Sequence, residues 1–314
     1  MPINRDGISE KKPESDINDS KKAQKEIQFT SEKPKYKLKE IILPEHLKDQ
    51  VHDVISAHKN QDLIFKTWGL EKVFKNMNKL GVNLYGPPGT GKTMEAHAIV
   101  EKLGNEIICM NYSEIESKFV GETSKNLSRL SDYAKRSQGI IFFDEADAML
   151  SKRVTNMSSS TDASVNQTRY VLLTLLNDYD GMTIFATNFI ENFEEAFMRR
   201  VQFHFKFELP DEETRKLLWK QYIPMAMPAN VDFDKLANLY ANVSGSDISN
   251  AVLMTAFKWA RLEIRHITTD YFEASIKSVL KSKQANKGAT VTKRTVSEEY
   301  VNQQLGKDSE NLQD

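Results

Sequence analysis

The octapeptide GPPGTGKT, Gly86 to Thr93, constrains this chain more than any other stretch. It matches G-x-x-x-x-G-K-[ST] and stands between the apolar run GVNLY and a helix-patterned segment that follows Lys92. Glycines at these positions let backbone amides close around phosphate oxygens at a helix N-terminus, where the aligned peptide dipoles favour an anion. Lys92 supplies a cation to the β and γ phosphates of a nucleotide, and Thr93 offers a hydroxyl to magnesium. Pro88, Gly89, Thr90, Gly91 and the following Met94 complete the expected nucleotide contacts.

A second motif supplies the acid that such a loop needs. IIFFDEAD, residues 140–147, is a buried-strand pattern ending in adjacent carboxylates. Asp144 is expected in the magnesium shell, beside Thr93, and Glu145 is placed to polarise an attacking water. Asp147 reads as a cap for the next helix. Short apolar runs alternate with helical patterns: GVNLY, the segment after Lys92, EIICMN, SKNLSRLSDYAKRS and GIIFFDE. That alternation predicts an α/β fold with a parallel sheet covered by helices on both faces. VQFHFKFEL alternates with a period of two, so one of its faces should be wet, as at a sheet edge. After Pro210, DEETRKLLWKQYIP has Asp211 as an N-cap and Pro224 as a stop, and helical patterns continue to about residue 280.

Composition bounds the rest. With 314 residues, 39% hydrophobic and 28% charged, the chain suits a globular protein of one or two domains. Its 43 basic and 44 acidic residues give a net charge of −1, so no overall field attracts nucleic acid or an anionic membrane. No run reaches the roughly 18 apolar residues of a membrane span, and the start MPINRDGISEKK lacks the apolar core of a signal peptide. The single cysteine, Cys109, cannot form an intramolecular disulfide and reads as a buried strand thiol, which fits the cytoplasm. Residues 1–40 hold ten basic and eight acidic side chains with few apolar ones, and residues 1–35 are expected to form a disordered arm. Residues 285–314 are expected to form a flexible tail, in which VSEEYVNQQL is patterned for a short amphipathic helix with a capping box from Ser297. No internal repeat is present.

From residue 36 to 284 the chain resembles an AAA-type ATPase. GPPGTGKT and IIFFDEADAMLSKR are close to family wording, FATNF resembles the sensor-1 strand with Asn188 as the sensor, and SGSDISNAV, with Gly245 and Ser246, resembles the sensor-2 region. The resemblance implies a five-stranded parallel sheet in the order 5-1-4-3-2 over residues 36–209, a helical lid over 210–284, and assembly into a ring, usually a hexamer. It also implies hydrolysis of ATP with Mg2+. FEEAFMRRVQFHFKFELP resembles the second region of homology, placing Arg199 and Arg200 at the arginine-finger positions, and their adjacency is similar to the katanin and spastin branch. The resemblance implies an adenine pocket near Ile41, Ile42 and Leu43, although EIILPEHLKDQ departs there from the family, which often has a glycine-containing segment at this place. SKFVGE resembles pore loop 1. In it Lys118, Phe119, Val120 and Gly121 would face a central channel, with the Phe119 ring gripping polypeptide of any sequence. The Ser-rich residues 155–166 fall where a second pore loop would lie and read as a loop.

The function this implies is a ring that couples ATP hydrolysis to threading, unfolding or disassembly of a protein partner. A DNA-associated loader is the first alternative, and the near-neutral charge gives it no support. The motor half of a separate protease is another: HExxH is absent, so the chain is not itself a zinc protease, although the ending NLQD lacks the hydrophobic-tyrosine pair by which some family members dock on a proteasome. A nucleotide switch that barely hydrolyses is disfavoured by Glu145 together with the two arginines.

Overall fold

Five of the apolar runs become parallel strands: β1 Leu80–Tyr85, β2 Glu106–Met110, β3 Gly139–Phe143, β4 Met182–Thr187 and β5 Phe203–Lys206. The computed structural model describes residues 29–74, 79–111, 115, 123–150, 160–188, 195–262 and 266–287. The expected pore loop Lys118–Gly121 and the helix capped by Ser297 lie outside the described residues. The strands stand in the order β2-β3-β4-β1-β5, the 5-1-4-3-2 order expected, and all four pairings are parallel. β3 and β4 are buried along their whole length, as strands covered on both faces must be. Among the described residues β5 pairs only with β1, and its Phe205 is buried while Lys206 is exposed, which accounts for the two-residue period.

Helix α1 Glu45–Lys59 and helix α2 Lys92–Leu103 pack one face of the sheet, around Val54, Ile99, Leu84 and Ile184. Helix α3 Thr123–Ser137 and helix α5 Ser160–Asp178 cover the other, around Leu130, Leu172, Phe143 and Phe185. Between them, the short helix α4 Asp147–Leu150 follows directly on the acidic strand end. Residues 160–166 belong to α5, so this half of the Ser-rich segment read as a loop is helical. The buried Val171, Leu172, Leu175 and Leu176 of its later turns carry the helix, and propensity in the first turn does not decide against it.

After the one-turn helix α6 Glu195–Met198 and strand β5, four helices form a unit with its own core: α7 Glu212–Tyr222, α8 Phe233–Leu239, α9 Gly245–Leu262 and α10 Thr269–Lys287. A two-stranded parallel pair, β6 Ala229–Asn230 and β7 Ile267–Thr268, joins them. Trp219 and Phe272 meet edge to face at 6.1 Å in its centre. Asp211 is the N-cap of α7, accepting from Thr214 N at 2.8 Å.

The chain before residue 36 departs from its expectation. From Phe29 it is fixed to the sheet: Phe29 is buried in the α3 side of the core, and Glu32 and Ile107 exchange two backbone hydrogen bonds of 2.9 Å across the β2 edge. Ser31 N also donates to Tyr133 Oη at 2.8 Å. One buried ring and a strand-like bridge are enough to hold a segment whose average composition is polar.

Candidate active site

The phosphate loop leaves β1 at Gly86 and enters α2 at Lys92. Three glycines in it adopt the left-handed region, Gly86 at φ 141°, Gly89 at 78° and Gly91 at 102°. At Gly86 a Cβ would stand 1.9 Å from the Phe207 carbonyl oxygen, so no other residue fits. Lys92 is buried, and its ammonium donates to Gly86 O at 2.7 Å, Pro87 O at 2.9 Å and Asn188 Oδ1 at 3.0 Å. Burial lowers the pKa of Lys92, while Asp147 and Asp144 act against that shift. Its three acceptors are neutral oxygens, the kind of site in which a phosphate charge has most to offer.

Asp144 ends β3 opposite the loop. Thr93 Oγ1 donates to it, at 3.0 Å to Oδ2 and 3.3 Å to Oδ1. Glu145 follows at φ 50°, a left-handed conformation that costs a non-glycine residue of order 1 kcal/mol, and its side chain is exposed towards the cleft. Glu145 N donates to Asp144 Oδ1 at 3.0 Å. Asn188, at the end of β4, completes the group, and the residue that fixes it is Asp147. Asp147 Oδ1 accepts from Asn188 N at 2.8 Å and from the Thr187 hydroxyl, and Oδ2 accepts from Asn188 Nδ2 at 3.2 Å. The cap read from the sequence therefore misses what this carboxylate touches.

Two adjoining hollows share the loop. One, of about 300 Å³, is lined by Pro88, Lys92, Thr93, Asp144, Glu145 and Asn188. The other, of about 240 Å³, is apolar on one side through Ile42, Leu43 and Met94, and reaches Gly89, Thr90, Gly91, Gly245 and Ser246. Every loop and adenine contact expected from the sequence lines one hollow or the other. The four-helix unit closes directly on the loop, with Ser246 N donating to Gly89 O at 3.1 Å.

Residues 82–209 match the ATPase family associated with various cellular activities (AAA). The chain is 38% identical over 176 residues to proteasome-activating nucleotidase 1 of Haloferax volcanii, covering 54% of this chain and 43% of that protein. It is 32% identical over 248 residues to a proteasome-activating nucleotidase of Methanopyrus kandleri, covering 76% and 55%. With a putative 26S proteasome regulatory subunit homolog of Methanothermobacter thermautotrophicus it shares 31% over 261 residues, covering 76% and 68%. The chain belongs to the AAA family. It spans about half the length of the first relatives it matches, 43% and 55% of the two named first.

These relatives of the AAA chain are proteasomal by name, so the katanin and spastin likeness drawn from Arg199 and Arg200 is corrected: two adjacent arginines carry too little information to mark a branch. Arg199 is 77% exposed and, among the described residues, its side chain reaches only Glu195, at 2.9 Å. Arg200 is tied to its own surface, Nε to Asn177 Oδ1 at 2.7 Å and Nη1 to Ala196 O at 2.6 Å. Neither lines the two hollows of its own chain. At the head of α9, Asp247 accepts from Ser244 N at 2.9 Å, from Ser244 Oγ at 2.8 Å and from Lys283 Nζ at 2.7 Å. Those bonds hold Gly245 and Ser246 against the loop, and the Lys283 partner, 36 residues away, carries no local signal in the sequence.

Proposed function

We propose that this chain hydrolyses ATP and works as a subunit of a homo-oligomeric ring, of hexamer size, that threads and unfolds a protein partner through a central pore in the cytoplasm. The observation that carries the hydrolase reading is the joined set Lys92, Asn188 and Asp147 beside the Thr93–Asp144 pair, with Glu145 at the open end of the cleft. In that reading Lys92 exchanges its loop carbonyls for β and γ phosphate oxygens, and loop amides hold the same phosphates. Thr93 and Asp144 are hard oxygen donors that suit Mg2+, which would neutralise phosphate charge when bound. Glu145 takes a proton from the attacking water, and Asn188, oriented by Asp147, keeps its Oδ1 on the Lys92 ammonium and so positions that cation for the transferring phosphate. Ile42, Leu43, Met94, Gly245 and Ser246 would enclose the base.

The arginines fit a role across a subunit boundary. Arg199 points to solvent with one exposed partner among the described residues, so a neighbouring subunit's phosphate would claim its guanidinium at little cost. Exposed Trp68, Val73 and Phe74, and Leu253 and Phe257 on α9, are apolar surfaces that adjacent subunits would cover. Phe119, with Lys118, Val120 and Gly121, would grip the substrate. The relatives' names favour a protease-coupled motor over a stand-alone remodeller, and nucleic acid is not expected as a partner.

Capture by Glu145→Gln in ATP tests this. The variant should bind nucleotide, turn over at least about a hundredfold more slowly, as on losing a positioned base, and retain a protein in the ring. Normal turnover removes Glu145 from catalysis. A protease core recovered with the trapped protein supports the coupled motor, and trapped protein without one supports the stand-alone form.

A further inference from the structure

Three donor side chains from three elements meet outside the residues that line the nucleotide hollows. Glu32 belongs to the docked N-terminal segment, His97 to α2 and Cys109 to β2. One donor atom of each lies within 4.8 Å of the others, and Cys109 Sγ is 3.6 Å from Glu32 Oε1. Two ligands on one tetrahedral zinc stand about 3.3–3.8 Å apart, given metal–ligand bonds of about 2.0–2.3 Å, so the set closes with small side-chain rotations.

Each donor is held. The paired backbone bonds between Glu32 and Ile107 fix Glu32 over the strand two residues before Cys109. The His97 ring is buried between Tyr36 and Phe142, edge to face at 5.9 and 6.1 Å, and Lys35 N donates to its Nδ1 at 3.3 Å. A cation already sits at the carboxylate: Lys35 Nζ is 2.9 Å from Glu32 Oε1. That lysine side chain is 60% exposed, so a metal displaces it against only a weak, screened ion pair. Thiolate, imidazole and carboxylate together are a zinc donor set with one position left for water, whereas magnesium and calcium take oxygen.

The geometry points to a Zn2+ site formed by Glu32, His97 and Cys109 that staples the N-terminal segment to the phosphate-loop helix and to the sheet edge. On binding, the Cys109 thiol releases its proton to water and the sulfur bonds the metal, while the His97 ring binds through one nitrogen and keeps its proton on the other, giving up the Lys35 N bond to Nδ1. The site then adds a metal tie to the contacts that already dock the segment, the Phe29 ring, the Ser31–Tyr133 bond and the Glu32–Ile107 bridge.

Co2+ is the probe, followed by Zn2+ in competition. Cys109 is the only cysteine of the chain, so a thiolate-to-cobalt charge-transfer band can arise nowhere else, and Co2+ held by oxygen donors at Thr93 and Asp144 gives none. The full-length protein should develop that band, with the visible spectrum of tetrahedral cobalt, at one equivalent, and Zn2+ should abolish it. Glu32→Gln and His97→Gln should each weaken Co2+ binding by at least about tenfold, the loss brought even by removing an outer-shell partner. Lys35→Met should strengthen it. Absence of the band overturns the site. So does a band whose affinity Glu32→Gln leaves unchanged, since Cys109 would then bind metal without the cluster; Glu32 is half-exposed, so this variant reads the result even where His97→Gln fails to fold.

Discussion

Asp147→Asn keeps the side chain's size and replaces one accepting oxygen with a donating NH2. The native oxygens accept three bonds, Thr187 Oγ1 and Asn188 N on Oδ1 and Asn188 Nδ2 on Oδ2. An amide satisfies at most one side of this arrangement. With its oxygen towards Asn188 N, its NH2 faces Asn188 Nδ2, donor against donor. Asn188 then relieves the conflict by turning its amide, which presents NH2 instead of Oδ1 to Lys92 and removes the 3.0 Å bond there. One charge-assisted hydrogen bond is worth about 1.5–3 kcal/mol, so a loss near 2 kcal/mol corresponds to about thirtyfold in turnover. Nucleotide affinity should change less, because the loop amides and Lys92 itself remain. The assay is steady-state ATP turnover beside nucleotide binding, run as a double-mutant cycle with Asn188→Ala. If Asp147 acts through Asn188, the double variant should lie close to Asn188→Ala alone, with a coupling of about 1–2 kcal/mol. Full turnover in Asp147→Asn, or losses that simply add, would refute this and leave Asp147 as a helix cap.

Glu95 is fully buried on α2, neither of its oxygens has a hydrogen-bond partner among the described residues, and burial pushes its pKa from 4.5 to about 7. Its neutral form suits the fold, so the contribution is fully present below the unfolded value of 4.5 and is lost as pH rises through about 7. Relative to Glu95→Gln, the wild type should therefore lose about 3 kcal/mol of stability across that interval, and parallel melting curves at every pH would dismiss the argument. Arg199→Ala and Lys92→Ala subunits should each be inactive alone and partly active when mixed, since one donates the finger and the other keeps an intact pocket; a verified mixed ring with no turnover counts against action across the boundary. Phe119→Ala should keep basal ATP turnover and lose unfolding of a captured substrate, with Phe119→Tyr largely retaining it. Unfolding by the alanine form at matched turnover would make SKFVGE a packing loop.

The sheet was legible because its strands are written as local patterns. IIFF and the run before Gly86 need only burial on two faces, and the phosphate loop needs glycines at fixed offsets, so each can be read within a dozen residues. Phe29 was hidden for the opposite reason: its anchoring depends on a single ring in a polar segment, and averaging over residues 1–40 erased it. The role of Asp147 was hidden by distance. An acid at the first position of a helix has a sufficient local explanation, while its partner Asn188 lies 41 residues on.

Long-range bonds also change what the glycines of the loop are for. Lys92 to Asn188 spans 96 residues and ties the loop to the end of β4, where Asp147 holds Asn188 in turn. On the other side, the space that a Cβ at Gly89 would take is filled by Ser244 Oγ at 2.7 Å and by Ser246, whose N–H bonds the Gly89 carbonyl. Gly89 is thus required twice, once for its φ of 78° and once because the helical unit rests on it. A phosphate drawing Lys92 away from the Gly86 and Pro87 carbonyls would act within three residues of Gly89, whose carbonyl accepts from Ser246 N. Ser246 lies in the first turn of α9, where Asp247 holds Ser244 and pairs with Lys283 of α10, so the contact on Gly89 comes from a helix end tied to its neighbour and not from a loose loop.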